Sequence, residues 1–190
     1  MAFRWGIAST GNIASAFARS LSKISDAELV AVSSRTADSA SRFAAEHGGP
    51  RAHGCHADLA ADEEVDIVYV AGVHPVHREH AILFMEAGKH VLVEKPLAMT
   101  AAEADEMIRV SDSTGRFMME AMWMRFNPLH VRMVDRIAGG EFGAVQHIDS
   151  DFSFDRPFDP SHRLFDPLQG GGALLDVGIY PLNLAWWVLG

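Results

Sequence analysis

Through the first two-thirds of the chain, short runs rich in β-branched and apolar residues alternate with segments whose apolar positions recur every three or four residues. That rhythm predicts βαβ units around a parallel sheet, an α/β Rossmann-type doubly wound fold. Residues 3–8 read as a strand and 12–21 as a helix carrying Ile13, Phe17 and Leu21 on one face. Residues 29–33 read as the next strand, and 37–47 as a helix stopped by Gly48, Gly49 and Pro50. The continuous apolar run 65–71 suits a strand covered on both faces, and 75–87 reads as a helix closed by Gly88. A strand at 90–93 follows. Thr100 and Glu103 have capping-box spacing for a helix reaching about residue 113, and 116–120 reads as a further strand.

After Glu120 the rhythm changes. Residues 121–138 read as one helix rich in Met, Trp and Phe, 145–154 as a long strand, 155–171 as a proline-containing loop and 173–189 as an apolar helix. The expected division is therefore a dinucleotide-binding domain at 1–121 and a truncated start of a second α+β domain with an open mixed sheet at 122–190. One strand cannot satisfy its own hydrogen-bonding edges, so the second part calls for more sheet than the chain supplies.

Composition narrows the picture. With 48% hydrophobic and 22% charged residues the chain is a folded domain rather than a disordered segment. A formal net charge of −9 argues against a nucleic-acid surface, which needs clustered Lys and Arg. A single cysteine, Cys55, permits no intrachain disulfide and fits a reducing compartment. The opening residues do not read as a signal peptide, and no uninterrupted run of about eighteen apolar residues suggests a membrane span, so a cytoplasmic location is expected.

The candidate chemistry begins at the first strand-to-helix turn, where Ser9, Thr10, Gly11, Asn12, Ile13 and Ala14 form an S-x-G-x-x-A pattern. Backbone N–H groups and the helix dipole at such a turn receive a diphosphate, with Gly11 permitting close approach and Ala14 close helix packing. At the end of the second strand an acidic residue would bind a ribose 2′-hydroxyl; Ser33, Ser34, Arg35 and Thr36 are donors suited to a 2′-phosphate. NADP is accordingly favoured over NAD.

Glu94, Lys95 and Pro96 follow a strand at its ligand-gathering end, where a lysine can steady a developing alkoxide. Lone lysines are usually solvated, so this reading needs a partner. Asp176 and Tyr180 are four apart after Gly170, Gly171 and Gly172, which puts them on one helix face. A tyrosine beside a lysine can act as general base; first-turn dipole and packing roles weigh about equally from spacing alone. His74, His77 and His80 lack a recognisable metal-ligand pattern, and no metal is expected. His74 is assigned to the cofactor crevice, and Trp123 and Arg125 to the substrate pocket.

These residues resemble the glucose-fructose oxidoreductase, inositol dehydrogenase and MocA family over essentially the whole chain. The signposts are Trp5-Gly6-Ile7 through Ala14, His74-Pro75-Val76-His77, Glu94-Lys95-Pro96 and Gly170 through Tyr180. Residues 119–126 and 174–180 are similar to its dihydrodiol dehydrogenase and NADP-dependent D-xylose dehydrogenase branch. The resemblance implies Lys95 and Tyr180 as the catalytic pair with Asp176 positioning. It implies a cis Lys95–Pro96 bond, a small-molecule sugar or diol substrate, and a homodimer when full length. Family members are longer than this chain, which puts activity of the isolated chain in question. Two rival expectations stand: a noncatalytic NADP-binding regulatory module, and a reductase of a cyclic imine or tetrapyrrole that would not need the Asp176 and Tyr180 helix.

Overall fold

The computed structural model describes residues 2–190, in two compact units, Met1–Ala121 and Met122–Gly190. The first holds six parallel strands: β1 (Phe3–Ala8), β2 (Ala27–Ser33), β3 (Arg51–His53), β4 (Ile67–Val70), β5 (His90–Val93) and β6 (Met118–Glu120). Their order is β3-β2-β1-β4-β5-β6. The strand order reverses between β1 and β4, the switch point at which open α/β sheets gather ligands beyond the strands' carboxyl ends.

The central strands are apolar on both faces because helices cover both. Ile7, Ala8, Val32, Val68 and Val70 have no exposed surface. α1 (Asn12–Leu21) and α2 (Ala37–Glu46) pack a cluster around Ile7, Val32, Phe43 and Tyr69. α3 (His56–Ala60), α4 (His77–Glu86) and α5 (Ala101–Thr114) enclose a second cluster around Leu59, Val68, Phe84, Met85 and Met107. Gly6 admits α3, since a Cβ there would lie 3.1 Å from both Leu59 and Val65 side chains.

Stop and start signals behave as read. Thr100 Oγ1 accepts from the Glu103 amide at 3.2 Å, and Glu103 reaches back to the Met99 amide at 2.9 Å. Gly115 closes α5 with φ +65°, a left-handed cap that glycine adopts without a Cβ penalty.

Several expectations are corrected. Ile13 is 48% exposed; Ala14, Ala18 and Leu21 form the buried face of α1, the small alanines letting the helix lie close to the sheet. β3 and α3 had no counterpart in the sequence reading, being too short to show a period. The helix expected over 75–87 opens with a separate 3₁₀ turn, His74–Val76, because Pro75 supplies no N–H.

In the second unit, the helix expected over 121–138 is broken: a 3₁₀ turn, Trp123–Phe126, precedes α6 (Pro128–Ala138). Pro128 takes the first helical position and Asn127 Oδ1 caps the Leu129 amide at 3.0 Å. Residues 145–154 form no strand, since no strand among the described residues of this unit offers them a ladder. The expected helix over 173–189 is a π turn, Leu174–Gly178, leading into α7 (Ile179–Leu189). Among the described residues one helical stretch, Pro167–Leu189, 23 residues with an 18-residue window of mean hydropathy 1.3, is long and apolar enough to cross a membrane by length and composition alone. Gln169, the three glycines and Asp176 interrupt its apolar residues. The same residues break it into 3₁₀, π and α pieces.

Candidate functional site

In the first unit the candidate residues lie at the carboxyl ends of β1, β2, β4 and β5. β1 ends at Ala8 and the chain turns at Ser9, whose φ of +92° is a conformation rare outside glycine. Ser9 N donates to Ser33 O at 2.9 Å, and the Thr10 and Ser34 hydroxyls meet at 3.3 Å, tying the ends of β1 and β2 together. Gly11 then opens α1 with extended backbone, no side-chain cap and no acidic residue in the first turn. A Cβ on Gly11 would meet nothing within 4 Å. The helix therefore offers uncapped amides and its positive dipole end to open space, which fits a dinucleotide diphosphate.

Beside this turn Ser34 is buried and Arg35 exposed, while Thr36 caps α2 by accepting from Ser39 N at 3.3 Å. Ser33, fully buried, bonds His56 Nδ1 at 2.8 Å. The His56 ring packs on His80 with centroids 4.2 Å apart, and burial pushes both imidazoles down, His80 to about 4. His74 is buried in the turn after β4. Among the described residues no group of three His, Cys, Asp or Glu could hold a metal.

The Glu94-Lys95-Pro96 segment is fastened from three sides. Glu94 accepts from the Tyr69 hydroxyl through one carboxylate oxygen and from the Lys95 amide, at 3.1 Å, through the other. Glu120 Oε1 accepts from Leu97 N at 2.8 Å. His77, wholly buried, places Nδ1 2.8 Å from Pro96 O and Nε2 3.1 Å from Gly72 O, clasping this loop to the turn after β4. Burial pushes the His77 imidazole down, and the two carbonyls and Glu94 oppose that push. A neutral ring has one N–H, so it donates to one carbonyl, and the shorter contact favours Pro96. The Lys95–Pro96 bond is cis.

An apolar cavity of about 360 Å³ lined by Phe3, Trp5, Ile67, His90 and Phe117 lies at the opposite, amino-terminal end of the strands. It lacks the polar groups that orient a ligand.

The second unit holds its own group of candidate residues. Asp176 is buried in the π turn, where Arg163 Nη1 approaches its Oδ1 at 3.3 Å. Tyr180 stands in the first turn of α7, and the Trp123 indole N–H donates to its oxygen at 3.0 Å. Phe152 packs edge-on against the same phenol, with centroids 5.0 Å apart. Arg125 donates to Asn183 Oδ1 at 3.1 Å and lies over the Trp186 and Trp187 rings, 5.1 and 5.2 Å from their centroids. Arg163, Phe152, Asn183, Tyr69 and Glu120 had no place in the sequence reading. The buried phenol of Tyr69, in an apolar strand and in need of a polar partner, was the one available signal.

A β-sheet of this order with an anion-ready turn at its switch point is the architecture of a dinucleotide-binding Rossmann domain. Residues 3–122 match the model "Oxidoreductase family, NAD-binding Rossmann fold", and residues 130–190 match the "GFO/IDH/MocA C-terminal domain". The chain belongs to the GFO/IDH/MocA family. It is 41% identical over 190 residues to a trans-1,2-dihydrobenzene-1,2-diol dehydrogenase of Danio rerio, covering 99% of this chain and 56% of the relative. The Xenopus laevis enzyme of the same name is 39% identical over 182 residues, 95% of this chain and 54% of that one. The chain thus spans a little over half the length of the curated relatives it matches. Among solved structures, a 3-ketoreductase from Actinomadura kijaniata in complex with TDP-benzene and NADP superposes with a TM-score of 0.89 at 30% identity. It covers all of this chain and 58% of its own. A Klebsiella pneumoniae NAD binding oxidoreductase gives 0.87 at 27% identity, covering all of this chain and 54% of its own.

Proposed function

We propose that this chain is the cofactor-binding half and the start of the substrate half of an NADP-dependent oxidoreductase acting on a secondary alcohol of a sugar or trans-dihydrodiol. The observation that carries it is the uncapped start of α1 behind Ser9 to Ile13, with Arg35 and Ser34 at the neighbouring strand end and no acidic residue there. Thr10, Asn12 and Ile13 would line the diphosphate, Arg35 would meet the 2′-phosphate, and His74 and Glu94 would border the nicotinamide end. When bound, the nicotinamide exchanges the hydride.

The chain's own residues handle proton and charge. Tyr180 takes the hydroxyl proton, Lys95 steadies the oxygen as negative charge develops, and Asp176, held by Arg163, positions them. Trp123 lines the substrate pocket. Arg125, occupied by Asn183 and two tryptophans, braces that wall. The names of the relatives support a diol substrate, and the ketoreductase neighbour supports a sugar read in the reductive direction. A cytoplasmic homodimer of the longer protein completes the reading.

NADPH fluorescence titration followed by NADP reduction with a panel of sugars and trans-dihydrodiols tests it. Turnover abolished by Tyr180→Phe is expected. Binding of NADPH with no turnover of any alcohol by the longer protein would favour a noncatalytic module.

A further inference from the structure

We propose that Trp123 is a positioning residue for Tyr180: its indole N–H, donating to the phenol oxygen at 3.0 Å, turns the phenol's own proton away from the indole and steadies the oxygen when it is ionised. This deepens the reading of Tyr180 as the base and rests on it.

An indole nitrogen donates and never accepts, so in this pair the phenol oxygen is the acceptor. Its hydrogen therefore points away from the indole. A hydrogen bond to an ionised oxygen is roughly twice as strong as one to a neutral oxygen, so the contact favours the phenolate over the phenol. The orientation is held by packing. The Trp123 and Tyr180 rings lie 5.6 Å apart and tilted by 55°, Phe152 closes on the phenol from another side, and His130 packs behind the indole at 6.4 Å. Charged groups in this unit near the pair are Asp176, four residues before Tyr180 and paired with Arg163, and His130, whose Nδ1 lies 3.2 Å from Met124 O.

The chain has two tyrosines, so ¹³Cζ-tyrosine labelling gives two NMR signals, and Tyr180→Phe identifies the second. In Trp123→Phe the Tyr180 ionisation midpoint moves to higher pH, its acid constant falling about fivefold. Phe152→Leu, which removes a ring contact but no donor, leaves the midpoint in place. In the unaltered chain the Trp123 indole N–H resonance shifts with the same midpoint, a readout independent of whether Trp123→Phe folds. In the longer protein the acid limb of kcat/KM moves with the midpoint.

An unmoved midpoint in folded Trp123→Phe, or an indole resonance indifferent to Tyr180 ionisation, overturns the proposal while leaving NADPH binding and turnover intact. A shifted midpoint in a protein that reduces no NADP would instead leave the contact standing and remove the catalytic reading.

Discussion

Replacing His77 by phenylalanine tests the clasp that fixes the lysine loop. The ring is wholly buried and joins the carbonyl of Pro96 to that of Gly72 across 19 and 5 residues of sequence. Phenylalanine fills comparable volume and donates nothing. One hydrogen bond worth about 1 kcal/mol is lost, and the buried carbonyl it served goes unsatisfied at a further cost of about 1–2 kcal/mol, together about 2–3 kcal/mol. For a chain of this size 1 kcal/mol moves Tm by roughly 2–4 °C, so thermal melting by circular dichroism should fall by about 4–12 °C. His77→Gln, which keeps a donor, should recover part of that loss. A Phe variant melting within about 1 °C of the parent would show that the His77 hydrogen bond does not hold the loop.

Other consequences are equally direct. Burial holds the imidazoles of His56, His77 and His80 below their ordinary value of 6.5, so the folded state disfavours their protonated forms. Their stability contribution is complete above pH 6.5 and declines as pH falls toward the His80 value of about 4, by up to about 1.4 kcal/mol per pH unit for each group. Denaturant melts across that range should show this slope, and His80→Leu should flatten it; an unchanged slope would contradict the assignment. Arg35→Ala should weaken NADP binding tenfold or more by fluorescence titration while leaving NAD binding within about twofold, an Arg–phosphate contact being worth about 1.5–3 kcal/mol. Ser9→Val should destabilise by about 1–3 kcal/mol in chemical denaturation because a β-branched side chain resists φ +92°, whereas Ser9→Gly should not. Equal stability of those two variants would remove the argument for strain at the turn.

What was legible follows from how local each signal is. β4 announced itself as a continuous apolar run suited to burial on both faces, and Thr100 with Glu103 gave the start of α5 through a contact closed within four residues. β3, three residues long, has no period to read; it takes its place by pairing with β2. Residues 145–154 carry strand-forming side chains, yet a strand is defined by its neighbours. At the site the turn of Ser9 to Gly11 was readable because one helix terminus performs the task. Trp123 and Tyr180 are 57 residues apart, and Arg163 and Asp176 are 13 apart, so no spacing rule joins either pair. Glu94 lies at the end of β5 as its place in the sequence implies, but its carboxylate is turned to Tyr69, 25 residues away, and to the Lys95 amide, a role that no spacing signals.

We propose that Lys95 and Tyr180 act on the same substrate oxygen. A double-mutant cycle on kcat/KM for NADP reduction, with Lys95→Met, Tyr180→Phe and both together in the longer protein, measures that directly. Each single change should cost about a thousandfold, and the pair should cost little more than the worse single, as for residues that act as a unit. Losses that multiply independently, or a single variant within tenfold of the parent, would contradict it.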